Sequence, residues 1–164
     1  MDEESKARAR QALSLRKEEA DILSQVELAA FPPRHQFPSF FESLFLRGIK
    51  VDRIETGVVV CSFKVPPLLT GSAGALTPGA IADLVDMVGA FAATSYGIQL
   101  KATVNLSIQF LSSPKIDDEL EIIARVLNHE RSYSNTSICL RKKKTGEVVA
   151  NCQQLWSLTG RSKI

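Results

Sequence analysis

One acidic residue, Asp86, lies in an otherwise small and apolar stretch from Pro78 to Tyr96 that has the period of a helix. An ionised carboxylate is costly to bury unless a partner or a function compensates for the lost hydration. Asp86 is therefore a candidate catalytic group. The alternative is a structural carboxylate that pairs across a tight helix contact. Asp83, one turn earlier, is a competing acid.

Two faces of this helix are predicted to be buried. At about 100° per residue, one apolar stripe faces the core, and a second stripe of small residues surrounds Asp86. Another backbone can approach such a small-residue stripe closely, which indicates an active site at an interface. The first stripe is Ile81, Leu84, Val85, Val88 and Ala92, and the second is Gly79, Ala82, Asp86, Gly89 and Ala93.

Length and composition indicate a globular protein with one main domain. The chain has 164 residues, of which 45% are hydrophobic and 23% charged, and its net charge of +2 argues against a nucleic-acid binder. We expect no membrane span, signal peptide or transit peptide. The three cysteines form no disulfide framework or metal site. Free buried thiols are the preferred interpretation, although a hairpin turn at Thr145-Gly146 would place Cys139 opposite Cys152.

The spacing of apolar residues predicts a helical N-terminal extension and then a sheet. Residues 3–30 read as an amphipathic helix, the prolines at 32, 33 and 38 form a linker, and Ser39 to Leu46 is a short helix. We therefore divide the chain into an extension at 1–37 and a domain at 38–160. An antiparallel sheet wrapped on the long helix is expected. Its strands are predicted at Ile49–Glu55, Val58–Val65, Lys101–Leu111, Glu119–His129, Ser132–Lys142 and Glu147–Leu158.

The sequence contains no other motif that predicts an active site as strongly as Asp86 does. The chain has no Gly-rich phosphate loop, no nucleophile elbow and no Cys/His metal spacing. The basic run Arg141–Lys144 is interpreted as a solvated hairpin end, with a phosphate contact as the alternative. In the strand after the helix, Val104, Leu106, Ile108 and Phe110 are predicted to share one face and Thr103 to lie on the other.

From about Phe40 to Leu158 the chain resembles the hotdog-fold acyl-CoA thioesterases of the PaaI-like group. The segments that carry the resemblance are GALTPGAIADLVDMVGAFAA, ATVNLSIQFLSSPKIDDELEIIARVL and KKKTGEVVANCQ. The resemblance implies an α+β hotdog fold, to which the N-terminal helix would be an addition. It also implies hydrolysis of acyl-CoA thioesters in a homodimer, paired into a homotetramer, with the active site between two subunits.

The resemblance assigns roles to Asp86, to Thr103 and to the start of the helix. Asp86 would act as general base on a water molecule or directly as nucleophile. Thr103 would help to place the water. Backbone N–H groups at the N-terminus of the facing helix would polarise the carbonyl. Because the motif there departs from the family, our own hypothesis is that Gly79 takes over as donor and that Thr77 orients the water. No cofactor or metal is implied, since coenzyme A is part of the substrate.

The active-site motif departs from the family pattern. The family carries His-Gly-Gly where this chain has Thr77-Pro78-Gly79, and proline has no N–H to offer as an oxyanion donor. The family's asparagine in the preceding loop is matched by Gly71. A catalytically weakened or inactive hotdog protein that binds acyl-CoA or a protein partner is therefore the alternative function.

The match also suggests residues that bind the coenzyme A moiety, and the C-terminus suggests a location. The chain ends in Ser162-Lys163-Ile164, one change from a peroxisomal address, so that a peroxisomal location is an alternative to the cytoplasm. The predicted coenzyme A contacts are Phe110, Ser112, Asn128, His129, Arg131, Ser132 and Tyr133.

Overall fold

The computed structural model of the chain describes residues 48–130 and 132–158, together with residues 17, 18 and 21, which are helical. The rest of the predicted N-terminal helix, the proline linker, the short helix after it, Arg131 and the C-terminal tripeptide lie outside the described residues. The division at residue 37 also falls there and stays a prediction.

Six antiparallel strands form one sheet in the order β1-β2-β4-β5-β6-β3. Alternating apolar residues and glycine-containing turns place the strands within one residue of their predicted bounds. The strands are β1 (Ile49–Glu55), β2 (Val58–Lys64), β3 (Leu100–Phe110), β4 (Glu119–His129), β5 (Tyr133–Lys142) and β6 (Val148–Leu158). A 3₁₀ turn at Pro67–Leu69 was not predicted.

The central helix, Pro78–Ser95, packs on one face of this sheet. All five residues of its predicted apolar stripe are buried, and they meet the inward residues of β2, β4, β5 and β6 in one core. Gly57 has φ +74 in the β1–β2 turn, and its N–H donates to Ser95 Oγ at 3.1 Å. This bond ties the end of the helix to the sheet.

Strand β3 contains a bulge that the alternation did not predict. Thr103 lies opposite Trp156 and Leu106 opposite Gln154, but the register shifts between Thr103 and Asn105. Trp156 and Gln154 both face the helix, so Thr103 and Leu106 lie on the same face. The predicted placement of these two residues on opposite faces is therefore wrong, because the extra residue inverts the alternation.

The suggested pairing of Cys139 with Cys152 is also wrong. Both thiols are free, and the register places Cys139 opposite Asn151 and Cys152 opposite Ile138. The two side chains therefore point to opposite faces of the sheet. Burial raises the pKa of Cys152 to about 12 and that of Cys61 to about 11, so both thiols are protonated at neutral pH.

Within the ranges given above, none of the helices combines the length and the apolar character that a membrane crossing requires.

Candidate active site

The Asp86 carboxylate is half-buried, and its Oδ1 accepts two hydrogen bonds. Thr103 Oγ1 donates one at 3.0 Å. Gln154 Nε2 donates the other and also lies 3.4 Å from Thr103 Oγ1. None of the described residues donates to Asp86 Oδ2. The carboxylate therefore has one oxygen held by two donors and one oxygen without a described donor.

Three elements bring these side chains together. Asp86 comes from the middle of the central helix, Thr103 from β3 and Gln154 from β6. The β3 bulge turns Thr103 toward the helix. Gly89, one turn after Asp86, leaves the room that Gln154 occupies, because a Cβ at Gly89 would overlap Gln154 Oε1. Part of the predicted small-residue stripe is thus filled by a side chain of the same chain.

The competing acid, Asp83, has a different environment. It is exposed, and none of the described residues donates a hydrogen bond to its carboxylate. Nearby protein atoms displace part of the water around its carboxylate and so raise the pKa of Asp83, and the negative charge of Asp86 raises it further. Two side chains therefore donate hydrogen bonds to the carboxylate of Asp86, and neither of them donates to Asp83.

The helix N-terminus carries the other predicted catalytic groups. Thr77 is the N-cap, and its Oγ1 accepts a hydrogen bond from the Ala80 N–H at 3.3 Å. Pro78 occupies the first turn. The Gly79 N–H has no acceptor among the described residues, and a Cβ at Gly79 would meet nothing within 4 Å. The Gly79 N–H is therefore a backbone donor without a described acceptor, two residues after Thr77.

The predicted coenzyme A contacts fall at two ends of the sheet. Tyr133 lies opposite Ser157, whereas Phe110 lies opposite Ala150. Ala150 and Ser157 are seven positions apart along β6, which is roughly 23 Å in an extended strand. One chain therefore does not bring the predicted residues into a single cluster.

Several of these residues already have partners in the chain. Asn128 Oδ1 accepts from Asn135 Nδ2 at 2.8 Å, and the His129 ring lies 6.0 Å from that of Tyr96. Ser112 Oγ donates to the Val148 carbonyl at 3.3 Å. Tyr133 and Phe110 are each 49% exposed. The role of all these residues in ligand binding stays a prediction.

Most of the basic run at 141–144 is held in ion pairs. Three of its four side chains have an acidic partner, which favours the interpretation as a hairpin end over a phosphate site. The partners are Glu121 for Arg141, Glu147 for Lys142 and Asp52 for Lys143.

The residue that the sequence analysis missed is Gln154. A signal was present, since Cys152, Gln154 and Trp156 alternate along a strand whose inward positions are otherwise apolar. A polar residue at an inward position indicates a buried partner. Gln154 is 1% exposed, and its partner is the candidate catalytic carboxylate.

Named proteins are similar to this chain in sequence. Human acyl-coenzyme A thioesterase 13 is 32% identical to the chain over 96 residues, which are 57% of the chain and 68% of that protein. The chain belongs to the thioesterase superfamily. The model of this family matches residues 73–149, which include Asp86 and Thr103. The resemblance drawn from the sequence is confirmed, and so is the prediction of a thioesterase enzyme.

Solved structures of the thioesterase superfamily share the fold. Zebrafish thioesterase superfamily member 2 matches with a TM-score of 0.70 and 28% identity, over 76% of this chain and 89% of that one. A hypothetical thioesterase from Streptococcus pneumoniae, solved with coenzyme A, matches with a TM-score of 0.66 and 22% identity, over 70% and 88% of the two chains. These matches confirm the predicted hotdog fold.

Proposed function

We propose that this thioesterase hydrolyses acyl-CoA thioesters to a free acid and coenzyme A. The observation that carries the proposal is the Asp86 carboxylate, with Oδ1 held by Thr103 and Gln154 and with no described donor to Oδ2. The name of the human relative and the coenzyme A in the Streptococcus pneumoniae structure support this substrate class.

In the proposed reaction Asp86 acts as general base. Its free oxygen takes a proton from a water molecule as the water oxygen bonds to the thioester carbonyl carbon. The tetrahedral intermediate then expels the coenzyme A sulfur, which receives the proton from Asp86. The Thr103 hydroxyl donates its only proton to Asp86 and therefore contacts the water as an acceptor.

We propose that a second copy of the chain completes this site. Gly79 and Asp86 are seven residues apart on one helix, which is roughly 10 Å along its axis. A donor to the carbonyl oxygen and a base for the attacking water must both lie close to the same carbonyl. In the proposed assembly, the Gly79 N–H that serves Asp86 therefore comes from another subunit.

The position of Thr103 is consistent with an interface between two copies. Thr103 lies on β3, an edge strand of 11 residues, and Val104 beside it is 53% exposed. A long exposed edge strand with apolar side chains is a ready surface for another chain. The proposed assembly is a homodimer joined along this side of the sheet.

The departure at Pro78 affects one donor of the proposed site. Proline offers no N–H, so Gly79 is left as the donor to the developing oxyanion. Removing one oxyanion donor typically costs about 10²- to 10³-fold in rate. We expect measurable turnover, because the Gly79 N–H has no acceptor among the described residues and is left to donate to the substrate.

The first test is thiol release from short-, medium- and long-chain acyl-CoAs by the wild type, Asp86→Asn and Asp83→Asn. General base catalysis typically contributes about 10²- to 10⁴-fold, so we expect kcat to fall at least about 100-fold in Asp86→Asn. Asp83→Asn is the matched control, one turn away on the same helix, and should keep wild-type turnover. Full activity of folded Asp86→Asn would contradict the proposed mechanism.

Pro78 and Gly71 favour one second candidate, a hotdog protein that binds acyl-CoA without hydrolysing it. Both positions lack the groups that the family pattern carries there. This candidate predicts no thiol release by the wild type with any acyl-CoA. It also predicts a rise in melting temperature when a coenzyme A compound is added.

A further inference from the structure

Gln154 is a deeply buried polar side chain that contacts the candidate catalytic carboxylate. It is 1% exposed on β6, and its Nε2 donates to Asp86 Oδ1. Its Oε1 is buried and has no hydrogen-bond partner among the described residues. A buried polar atom without a partner destabilises a fold. Packing alone therefore does not explain a glutamine at this position, since an apolar residue would pack without that cost.

The orientation of the amide follows from the chemistry of its neighbour. An ionised carboxylate only accepts hydrogen bonds, so the Nε2 end must face Asp86. The reverse orientation would place two acceptor oxygens against each other. With Nε2 fixed in this way, Oε1 points at Gly89, where a Cβ would overlap it. Gly89 thus allows Gln154 to present its donor to Asp86.

We propose that Gln154 is a positioning residue that fixes the orientation of the Asp86 carboxylate. Nε2 of Gln154 and the hydroxyl of Thr103 both bond Oδ1, which restrains the rotation of the carboxylate. Oδ2 is then held toward the water that it deprotonates. The catalytic consequence rests on the proposed thioesterase function, whereas the contact with Asp86 stands without it.

The kinetic test compares Gln154→Met, Gln154→Glu and Gln153→Met. Methionine keeps the length of the side chain but has no donor, so we expect kcat to fall about 10- to 100-fold. KM should stay within about two-fold, because the interaction serves the reaction rather than binding. Glutamate fills the same space but faces Asp86 with a second negative charge, and a larger loss is expected.

Gln153 supplies the matched control, since it is the exposed neighbour on the other face of β6. Gln153→Met should keep wild-type kcat. A residue that only fills space would be replaced by methionine without loss. Wild-type kcat in folded Gln154→Met, or a loss confined to KM, would therefore overturn the positioning role.

The contact itself is tested without turnover by ¹H–¹⁵N NMR of the side-chain amides. The Gln154 resonances are those missing from Gln154→Met, and Asp86→Asn should shift them because it removes the charge beside Nε2. Asp83→Asn should leave them in place. Unchanged Gln154 resonances in Asp86→Asn would overturn the contact. A wild type without turnover would instead overturn the thioesterase function and, with it, the catalytic effect of Gln154.

Discussion

Two carboxylates of the central helix, those of Asp86 and Asp83, differ in their hydrogen-bond donors. Asp86 and Asp83 are the same residue type, one helical turn apart. Asp86 accepts hydrogen bonds from Thr103 and Gln154, whereas Asp83 is exposed and accepts none from the described residues. Two donors on one oxygen hold a carboxylate in a defined orientation, which a general base requires. The assignment of the catalytic role to Asp86 rests on this difference.

The Thr103 hydroxyl should contribute to turnover independently of its methyl group. Thr103→Val keeps the shape of the side chain but removes the donor to Asp86, so we expect kcat to fall about 10-fold or more. Thr103→Ser keeps the hydroxyl and should retain most of the activity. The measurement is kcat and KM for both variants with the best acyl-CoA substrate. Wild-type kcat in folded Thr103→Val would contradict a role for the hydroxyl.

Sequence reasoning identified Asp86 because a charged residue in an apolar helix is visible without a structure. It did not identify Gln154, which follows an identical residue, Gln153, in the chain. Residue type does not distinguish these two glutamines. What distinguishes them is which one faces the helix and which one fills the space that Gly89 leaves, and both are properties of the folded chain.

At the scale of elements, the site depends on close contact between the central helix and the sheet. Gly89 is buried in this contact, with Gln154 on one side and Ile138 on the other. The β3 bulge supplies the second requirement, since it turns Thr103 inward. Helix, bulge and β6 must therefore stay in register for the three polar side chains to meet.

Gly89→Ala should destabilise the fold and lower activity. The added Cβ would overlap Gln154 Oε1 and lie 3.3 Å from Ile138 Cδ1, so that the helix or the glutamine must move. Overpacking of this kind costs about 1 to 3 kcal/mol in free energy of unfolding. The measurement is urea denaturation together with kcat.

Gly79→Ala is the control for this prediction. A Cβ at Gly79 meets nothing within 4 Å, and alanine keeps the N–H. Stability should therefore be unchanged or slightly higher, because alanine is the better helix former. Because both variants gain the helix propensity of alanine, the comparison between them isolates the packing cost. Gly89→Ala as stable as Gly79→Ala would show that the helix does not pack against Gln154 as described.

The strands were largely predictable, because alternation and turn residues are local signals. The bulge at Val104 and the register of Cys139 against Asn151 were not. Each depends on how one strand pairs with its neighbour, and a shift of one residue exchanges the faces. The errors therefore affect which way a side chain points, whereas the central helix and the six described strands were identified correctly.

At the scale of the whole molecule, one chain carries the parts of the proposed active site in separate places. The proposed base, Asp86, lies in the middle of the helix, and the Gly79 N–H lies at its start, roughly 10 Å away along the axis. The predicted ligand residues fall at two ends of the sheet. A symmetric dimer would bring the start of one helix to the middle of the other. The homotetramer inferred from the resemblance stays a prediction.

The most direct test of this account is complementation between two inactive subunits. Asp86→Asn removes the base, and Gly79→Pro removes the N–H donor, while Gly79→Ala controls for the added side chain. Each variant is checked for folding and assembly, and differently tagged subunits are co-expressed so that the mixed dimer can be purified. One of its two sites then carries both intact residues.

Thiol release by the mixed dimer is the measurement. If each site takes Asp86 from one subunit and Gly79 from the other, the mixed dimer should recover about half of the wild-type activity, although each parent is inactive. A folded mixed dimer as inactive as its parents, or a wild type that turns over substrate as a monomer, would contradict the account.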